Sequence, residues 1–207
     1  MAVGVPGGDA VEPSVQLPQT ELGLPKVAFL GDSISAGLHL AAEQAFPAVL
    51  QRRLAASGGG FALVNAGVSG DTTAGGLRRV DWLLKQAPRI LVVELGANDG
   101  MRGVPVETIE ANLRAIIEKA QAAKVPVLLL GMRIPPSYGA EYVAAFEALF
   151  PRVAKDLQVA FVPFFMQGVA GIPELNLPDG IHPTPQGHEK LAQNLSGPLR
   201  ELLEQTP

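Results

Sequence analysis

The chain is predicted to fold as an α/β domain built on a parallel sheet with crossover helices. Three observations predict it. Short apolar runs alternate with longer amphipathic segments, the order a parallel sheet imposes because each return to the same edge needs a crossover. Gly31-Asp32-Ser33, Gly70 and Gly96-Ala97-Asn98 each follow an apolar run, and in an open parallel sheet such places share the carboxyl edge, where ligands bind. The length of 207 residues fits one such domain with a sizeable core.

Composition narrows the partners. A hydrophobic content of 47% against 17% charged residues excludes general disorder. The net charge of -4, with no basic stripe, argues against a nucleic-acid partner. Cysteine is absent, which excludes disulfides, thiolate chemistry and Cys-based zinc sites. No apolar run approaches membrane-spanning length, so no integral membrane segment is expected. Residues 1–24 are rich in Gly and Pro and lack a periodic apolar face, so they are expected to be a flexible tail, with the domain spanning 25–207. The tail has neither the charged start nor the apolar stretch of a secretory signal.

The elements follow in order. Val27 to Leu30 is apolar without interruption and reads, from Lys26, as a buried first strand. A helix is expected from about Ala45 to Ala56, with Val49, Leu50 and Leu54 on one face and Gly58-Gly-Gly60 as its stop. Phe61 to Asn65 is the second strand, and Thr72 or Thr73 caps a helix carrying Leu77, Val80, Leu83 and Leu84. Pro88 ends that helix and Arg89 to Leu95 is the third strand. Val106 to Ala123 is amphipathic, with Ile109, Leu113, Ile116 and Ile117 inward. Val125 to Leu130 makes strand four, Tyr138 to Leu157 a helix, Val159 to Val162 strand five, and Pro185 to Leu203 the last helix.

Five polar or turn residues fall together at strand ends or in the last loop: Ser33, Gly70, Asn98, Asp179 and His182. Singly, each fits a helix cap or an ordinary turn. Jointly they make a chemistry. A serine needs a base to act as a nucleophile near neutral pH, and histidine is the side chain tuned for that. The imidazole in turn needs a carboxylate at its other nitrogen. Asp179-Gly-Ile-His182 supplies both within one tight loop. An oxyanion then needs donors, and the amides of Ser33 and Gly70 and the side-chain NH2 of Asn98 are of the right type. The other two histidines, His39 and His188, read as surface residues of a loop and of the last helix.

Gly31-Asp-Ser33 with Ile34, the Gly70 turn, Gly96-Ala-Asn98-Asp99 and Asp179-x-x-His182-Pro183 resemble, in order, the four blocks of the GDSL, or SGNH, hydrolases. The resemblance spans about Val27 to Leu203. The segments from Val93 to Gly103, Arg133 to Gly139 and Val162 to Met166 are similar to the bacterial thioesterase I/lysophospholipase/arylesterase group of that family. Ile34 stands where the family block usually has Leu, an apolar exchange. The resemblance implies a three-layer α/β/α flavodoxin-like fold with a five-stranded parallel sheet of order 2-1-3-4-5. It further implies Ser33 as nucleophile, His182 as base, Asp179 as its orienter, and Ser33, Gly70 and Asn98 as oxyanion donors.

Two rival readings weigh less. A metallophosphoesterase would want several histidines and bridging carboxylates, and only three histidines exist, two of them outside the blocks. A nucleotide-binding module would want G-x-G-x-x-G or G-x-x-x-x-G-K-[ST] after strand one, and neither is there. G-x-S-x-G is also missing, which separates the chain from the α/β-hydrolase fold. The expected activity is hydrolysis of carboxylic esters and acyl thioesters through an acyl-enzyme, with no metal and no cofactor. The alternative is a carbohydrate acetylesterase.

Asp32, Met101, Val104, Ile134 and Pro135 are candidate substrate-binding residues, and Pro136, Phe164, Phe165 and Met166 add to an apolar surround suited to aliphatic or aryl acyl groups. Gly100 and Gly103 bracket Met101 and Arg102, so this loop is expected to swing and cover an acyl chain. A small-molecule ester or thioester is the expected partner, with the protein a monomer or weak oligomer. The expected location is periplasmic or secreted, with the cytoplasm as alternative.

Overall fold

Apolar runs too short for helices make the sheet. In the computed structural model, which describes residues 23–206, they form β1 (Lys26–Gly31), β2 (Ala62–Gly67), β3 (Ile90–Glu94), β4 (Val127–Leu130) and β5 (Ala160–Val162). All neighbours pair in parallel and the order is β2-β1-β3-β4-β5, as the family resemblance implied. Burial explains the composition of each strand. β3 and β4 are wholly buried, whereas the edge strands β2 and β5 are partly open, and Asn65 of β2 is exposed. A central parallel strand has helices over both faces, so it has no solvent side to make polar.

The helices are α1 (Ser33–Ala36), α2 (Phe46–Ala56), α3 (Thr73–Leu84), α4 (Ala97–Met101), α5 (Val106–Ala122), α6 (Ala140–Asp156) and α7 (Pro185–Gln205). α2 packs on α7 in one layer, and α3, α5 and α6 pack in sequence in the other. Ile109, Leu113, Ile116 and Ile117 are fully buried along α5, the face that their spacing predicted. Thr72 is the cap of α3, its side chain accepting from the N–H of Gly75. Thr73 is buried and turned elsewhere. The expected tail lies outside the described residues except at Gly23 and Leu24.

Where bounds shifted, a turn or an edge is the cause. β2 runs on to Gly67 because it pairs with β1 through Gly31. α6 starts at Ala140, later than expected, because Pro136–Tyr138 forms a separate 3-10 turn and Gly139 follows at φ +91°. α1 and α4 are each too short to carry an apolar period, and neither is visible in the sequence as a helix.

Two glycines let the site form. A Cβ on Gly31 would lie 2.0 Å from Ser35 Oγ and 2.7 Å from Glu94 Oε2. A Cβ on Gly67 would lie 2.3 Å from the backbone nitrogen of Ala36. α1 can therefore sit directly on the ends of β1 and β2 only because both positions lack a side chain.

Two side chains read as surface or site groups are buried. His188 is 1% exposed, its ring stacked on Phe46 and its Nδ1 accepting from the Phe46 N–H at 3.0 Å. It shares the inward stripe of α7 with Leu191, Ala192, Leu195 and Leu199, so helical spacing overrides its polarity. Phe165 is fully buried against Phe46, with ring centroids 5.5 Å apart, and so belongs to the core.

Candidate active site

The site begins where β1 stops. Asp32 caps α1, its Oδ1 accepting from the N–H of Ile34 at 2.9 Å. Ser33 is then the first residue of the helix, a position whose N–H has no partner within a helix. Its side chain lies at the carboxyl edge of the sheet.

The loop before α7 comes to meet it. Asn176 and Pro183 form an isolated antiparallel bridge, and the N–H of Leu177 donates to the His182 carbonyl at 2.7 Å. Asn176 anchors this hairpin from beneath, donating Nδ2 to the carbonyls of Val169 (2.6 Å) and Ile172 (2.8 Å). Gly180 takes φ +69° at the tip. That turn brings His182 Nδ1 to 2.7 Å from Asp179 Oδ2 and His182 Nε2 to 2.9 Å from Ser33 Oγ. Asp179 Oδ1 accepts from the N–H groups of Ile181 (2.9 Å) and His182 (3.0 Å). These donors, the backbone N–H of His182 first and then its ring, pull the Asp179 carboxyl down to about 2. The carboxylate is thus charged and aimed at the imidazole.

Asn98 and Gly70 approach from β3 and β2. Asn98 lies in α4, and its Nδ2 donates to Asp32 Oδ2 at 3.0 Å. One of the two amide hydrogens is used, and the other remains for a ligand. Gly70 adopts φ +77° in the turn after β2, which is tied to β1 by the N–H of Val68 donating to Gly31 O at 3.0 Å. Arg79 of α3 holds the same turn, donating to Asp71 Oδ2 (2.7 Å), Ala66 O (2.5 Å) and Gly31 O (2.9 Å). Arg102 donates to Gly70 O at 3.0 Å from the other side.

The remaining candidates divide. Met101 and Val104 are half-buried in the α4–α5 connection, and Pro135 is exposed. Ile134 is 6% exposed and closely approaches Gly100. Asp32 is 2% exposed, and its oxygens are taken by Ile34 and Asn98. It stands behind Asn98, without an open face for substrate. Gly100 differs from the sequence expectation as well. It lies inside α4, where a Cβ would come within 2.7 Å of Phe146, so close packing and not hinge freedom accounts for it.

Two residues were missed as site residues. Exposed His39 places its ring edge-to-face with that of His182, centroids 6.2 Å apart. Glu94 is fully buried at the end of β3, below Asp32. Its signal was present, since it is the one charged residue in the run from Ile90 to Leu95.

Hydroxyl, imidazole and carboxylate, joined in that order at the carboxyl edge of a parallel sheet, define a serine hydrolase. Comparison with known proteins gives the family: residues 29–190 match the GDSL-like lipase/acylhydrolase family, and the chain belongs to it. The esterase TesA of Pseudomonas aeruginosa is 44% identical over 175 residues, covering 84% of this chain and 87% of that protein. The thioesterase 1/protease 1/lysophospholipase L1 of Escherichia coli (strain K12) is 41% identical over 175 residues, covering 84% and 83%. Among solved structures, the psychrotrophic esterase EstA from a Pseudoalteromonas species, in a form inhibited by monoethylphosphonate, superposes with a TM-score of 0.82. It is 35% identical, and the match covers 86% of this chain and 98% of EstA.

Proposed function

We propose that this protein hydrolyses carboxylic esters and acyl thioesters, with Ser33 as nucleophile, His182 as general base and acid, and Asp179 orienting the imidazole. The 2.9 Å contact between Ser33 Oγ and His182 Nε2, backed by Asp179, carries the proposal. His182 takes the Ser33 proton as Oγ attacks the carbonyl carbon, and Asp179 stabilises the imidazolium. The Ser33 and Gly70 amides and the free Asn98 hydrogen receive the oxyanion. His182 then protonates the departing alcohol or thiol, and water releases the acid by the reverse sequence.

The acyl group lies along Met101 and Val104, with Pro135 beside them, while Asp32 acts on substrate only through Asn98. Half-buried Met101 and Val104, with exposed Pro135, are apolar, which favours aliphatic or aryl acyl groups over acetylated sugars that would call for more hydrogen-bonding groups. Stoichiometric labelling by a fluorophosphonate, abolished along with turnover in a folded Ser33→Ala variant, is the test. Wild-type turnover in that variant would end the proposal. A parallel panel of p-nitrophenyl esters, acyl-CoAs and acetylated xylan separates the acyl esterase from the carbohydrate acetylesterase.

A further inference from the structure

The floor of the site holds two carboxyl groups that the reaction does not consume. Glu94 is fully buried and Asp32 is 2% exposed. Glu94 Oε2 accepts from the Asp32 N–H (3.2 Å), the Ser35 N–H (3.2 Å) and Ser35 Oγ (2.7 Å). Its other oxygen, Oε1, is buried and meets no N–H or hydroxyl donor among the described residues. The Asp32 carboxyl lies beside that of Glu94, since the Asp32 N–H donates to Glu94 Oε2, and the two buried carboxyls act on each other. Two ionised carboxylates held together out of water repel, and a proton shared between them removes the repulsion.

The donors decide where the proton resides. Both Asp32 oxygens already accept, one from Ile34 N–H and one from Asn98 Nδ2. Glu94 Oε1 is the oxygen left over. A proton there satisfies it and leaves the charge on Asp32, whose carboxyl burial raises only to about 6 because the Ile34 N–H and then His182 hold it down. Burial, followed by the charge of Asp32, pushes the Glu94 carboxyl well above the ordinary carboxylate range.

We infer that Glu94 is a positioning residue held as a neutral acid, which donates to Asp32 and through it fixes the Asn98 amide toward the oxyanion. The inference rests on the reading of Asn98 as an oxyanion donor. No bond is made or broken at Glu94 during turnover. Its proton stays between the two carboxyl groups, and its service is geometric. An Asp32 carboxylate fixed from below accepts one Asn98 hydrogen in one direction only, so the amide cannot flip its oxygen toward the developing anion. An oxygen turned that way would repel the charge that the site has to stabilise.

The test compares three variants in two backgrounds. Glu94→Met removes the donor at similar volume, and kcat should fall at least about tenfold with KM within about twofold. Glu94→Gln keeps a donor for Asp32 and an acceptor for Ser35, and should restore kcat to within about threefold of the parent. In an Asn98→Ala background, Glu94→Met should cost no more than about a further twofold, because the group it positions is gone. Equal losses in the Gln and Met variants would mean that the anion is needed, and would overturn the inference. So would a full tenfold loss in the Asn98→Ala background.

A melting comparison covers the case in which Glu94→Met does not fold. Besides Asp32, Ser35 and Asn98, the groups on this floor are His182, acting on Asp32, and Arg79, which donates to Gly31 O. A raised carboxyl is a proton that the folded state keeps after the unfolded chain has lost it, so it stabilises fully below the unfolded value of 4.5 and less as pH rises. The melting temperature of Glu94→Gln should therefore gain on the parent as the pH rises above about 4.5. A constant difference would overturn the neutral acid without reference to catalysis. Unchanged kcat in Asn98→Ala would instead overturn the oxyanion reading, and the catalytic service of Glu94 with it.

Discussion

Asp99 Oδ2 accepts the backbone N–H of Thr73 at 2.9 Å, and Asp99 Oδ1 accepts the Thr73 hydroxyl at 2.7 Å. One pair of residues thereby ties the helix that carries Asn98 to the start of α3, three residues beyond Gly70. Asn112 of α5 adds a third tie through its Nδ2, 3.0 Å from Thr73 Oγ1. The carboxylate is 1% exposed and faces the first turn of α3, the end where a helix favours negative charge. The spacing of two proposed oxyanion donors thus depends on a side chain that touches neither.

Asp99→Ala should on this account lower both stability and rate. It strands a buried N–H and the hydrogen of the Thr73 hydroxyl, whose oxygen still accepts from Asn112, at a cost of about 2–4 kcal/mol. Urea unfolding should register that loss. The folded variant should also lose roughly tenfold in kcat, because misplacing a donor by even a fraction of an ångström weakens its bond to the oxyanion. A variant destabilised by this amount with unchanged kcat would make Asp99 a plain helix cap.

This pair marks the limit of what the sequence conveys. Strand cores such as Ile90 to Glu94 and helix faces such as that of α5 are periodic patterns of burial, so they can be read without coordinates. Ser33, Asp179 and His182 were legible because their residue types are rare together and each follows a strand or sits in one tight loop. The supports were less so. Asp99 and Glu94 gain their roles from contacts with residues 26 and 62 positions away; nothing local distinguishes Asp99 from a turn carboxylate, and Glu94 shows only as a lone charge at the end of an apolar run, with no sign of what it meets. His188 failed for the opposite reason. Its polarity suggested surface, although its place in the α7 stripe with Leu191 and Leu195 pointed inward.

Asp179→Asn should leave the loop folded, because Oδ1 can still accept from the N–H groups of Ile181 and His182. The amide now presents N–H groups where the carboxylate accepted, and the imidazole must turn its other tautomer toward Ser33. The wrong nitrogen then carries the proton, and kcat should fall about a thousandfold or more with a much smaller change in KM. Steady-state kinetics on a p-nitrophenyl ester suffices. A loss confined to KM would place Asp179 in substrate binding.

His188 should make the fold sensitive to mild acid. Burial first, and then the nearby His182, lower its pKa from 6.5 to about 4. Between those values the unfolded chain binds the proton and the native state does not, so stability rises with pH across that window. The contribution is at most about 3 kcal/mol at the acid end. His188→Gln can keep an acceptor for the Phe46 N–H without titrating, so chemical denaturation at pH 4.5 and pH 7 should give a smaller difference in stability than in the parent. Equal differences would assign the acid sensitivity to other groups.

The connection from Gly100 to Pro105 offers the last prediction. Sequence alone suggests a loop that swings on two glycines, but its ends are tied. Val104 N–H donates to Asp99 O at 3.1 Å, Tyr142 Oη donates to Val104 O at 2.6 Å, and Arg102 reaches Gly70 O. Of the loop's two glycines, Gly103 is the one that combines a left-handed backbone, φ +67°, with open space around a built Cβ. Alanine there would strain the turn, at roughly 1 kcal/mol, so it is a poor way to stiffen the loop. Met101 and Tyr142 are the better probes. If the Met101 side chain covers two acyl methylenes, at about 0.8 kcal/mol each, Met101→Ala should lower the octanoyl-to-acetyl ratio of kcat/KM about tenfold. Tyr142→Phe removes the tie on Val104 without changing the acyl wall, and should shift the same ratio in the same direction by less. Both ratios come from one series of p-nitrophenyl esters of increasing chain length. An equal loss on acetyl and octanoyl esters would assign the segment to the support of Asn98 alone, since a loop that touches the acyl chain must respond to its length.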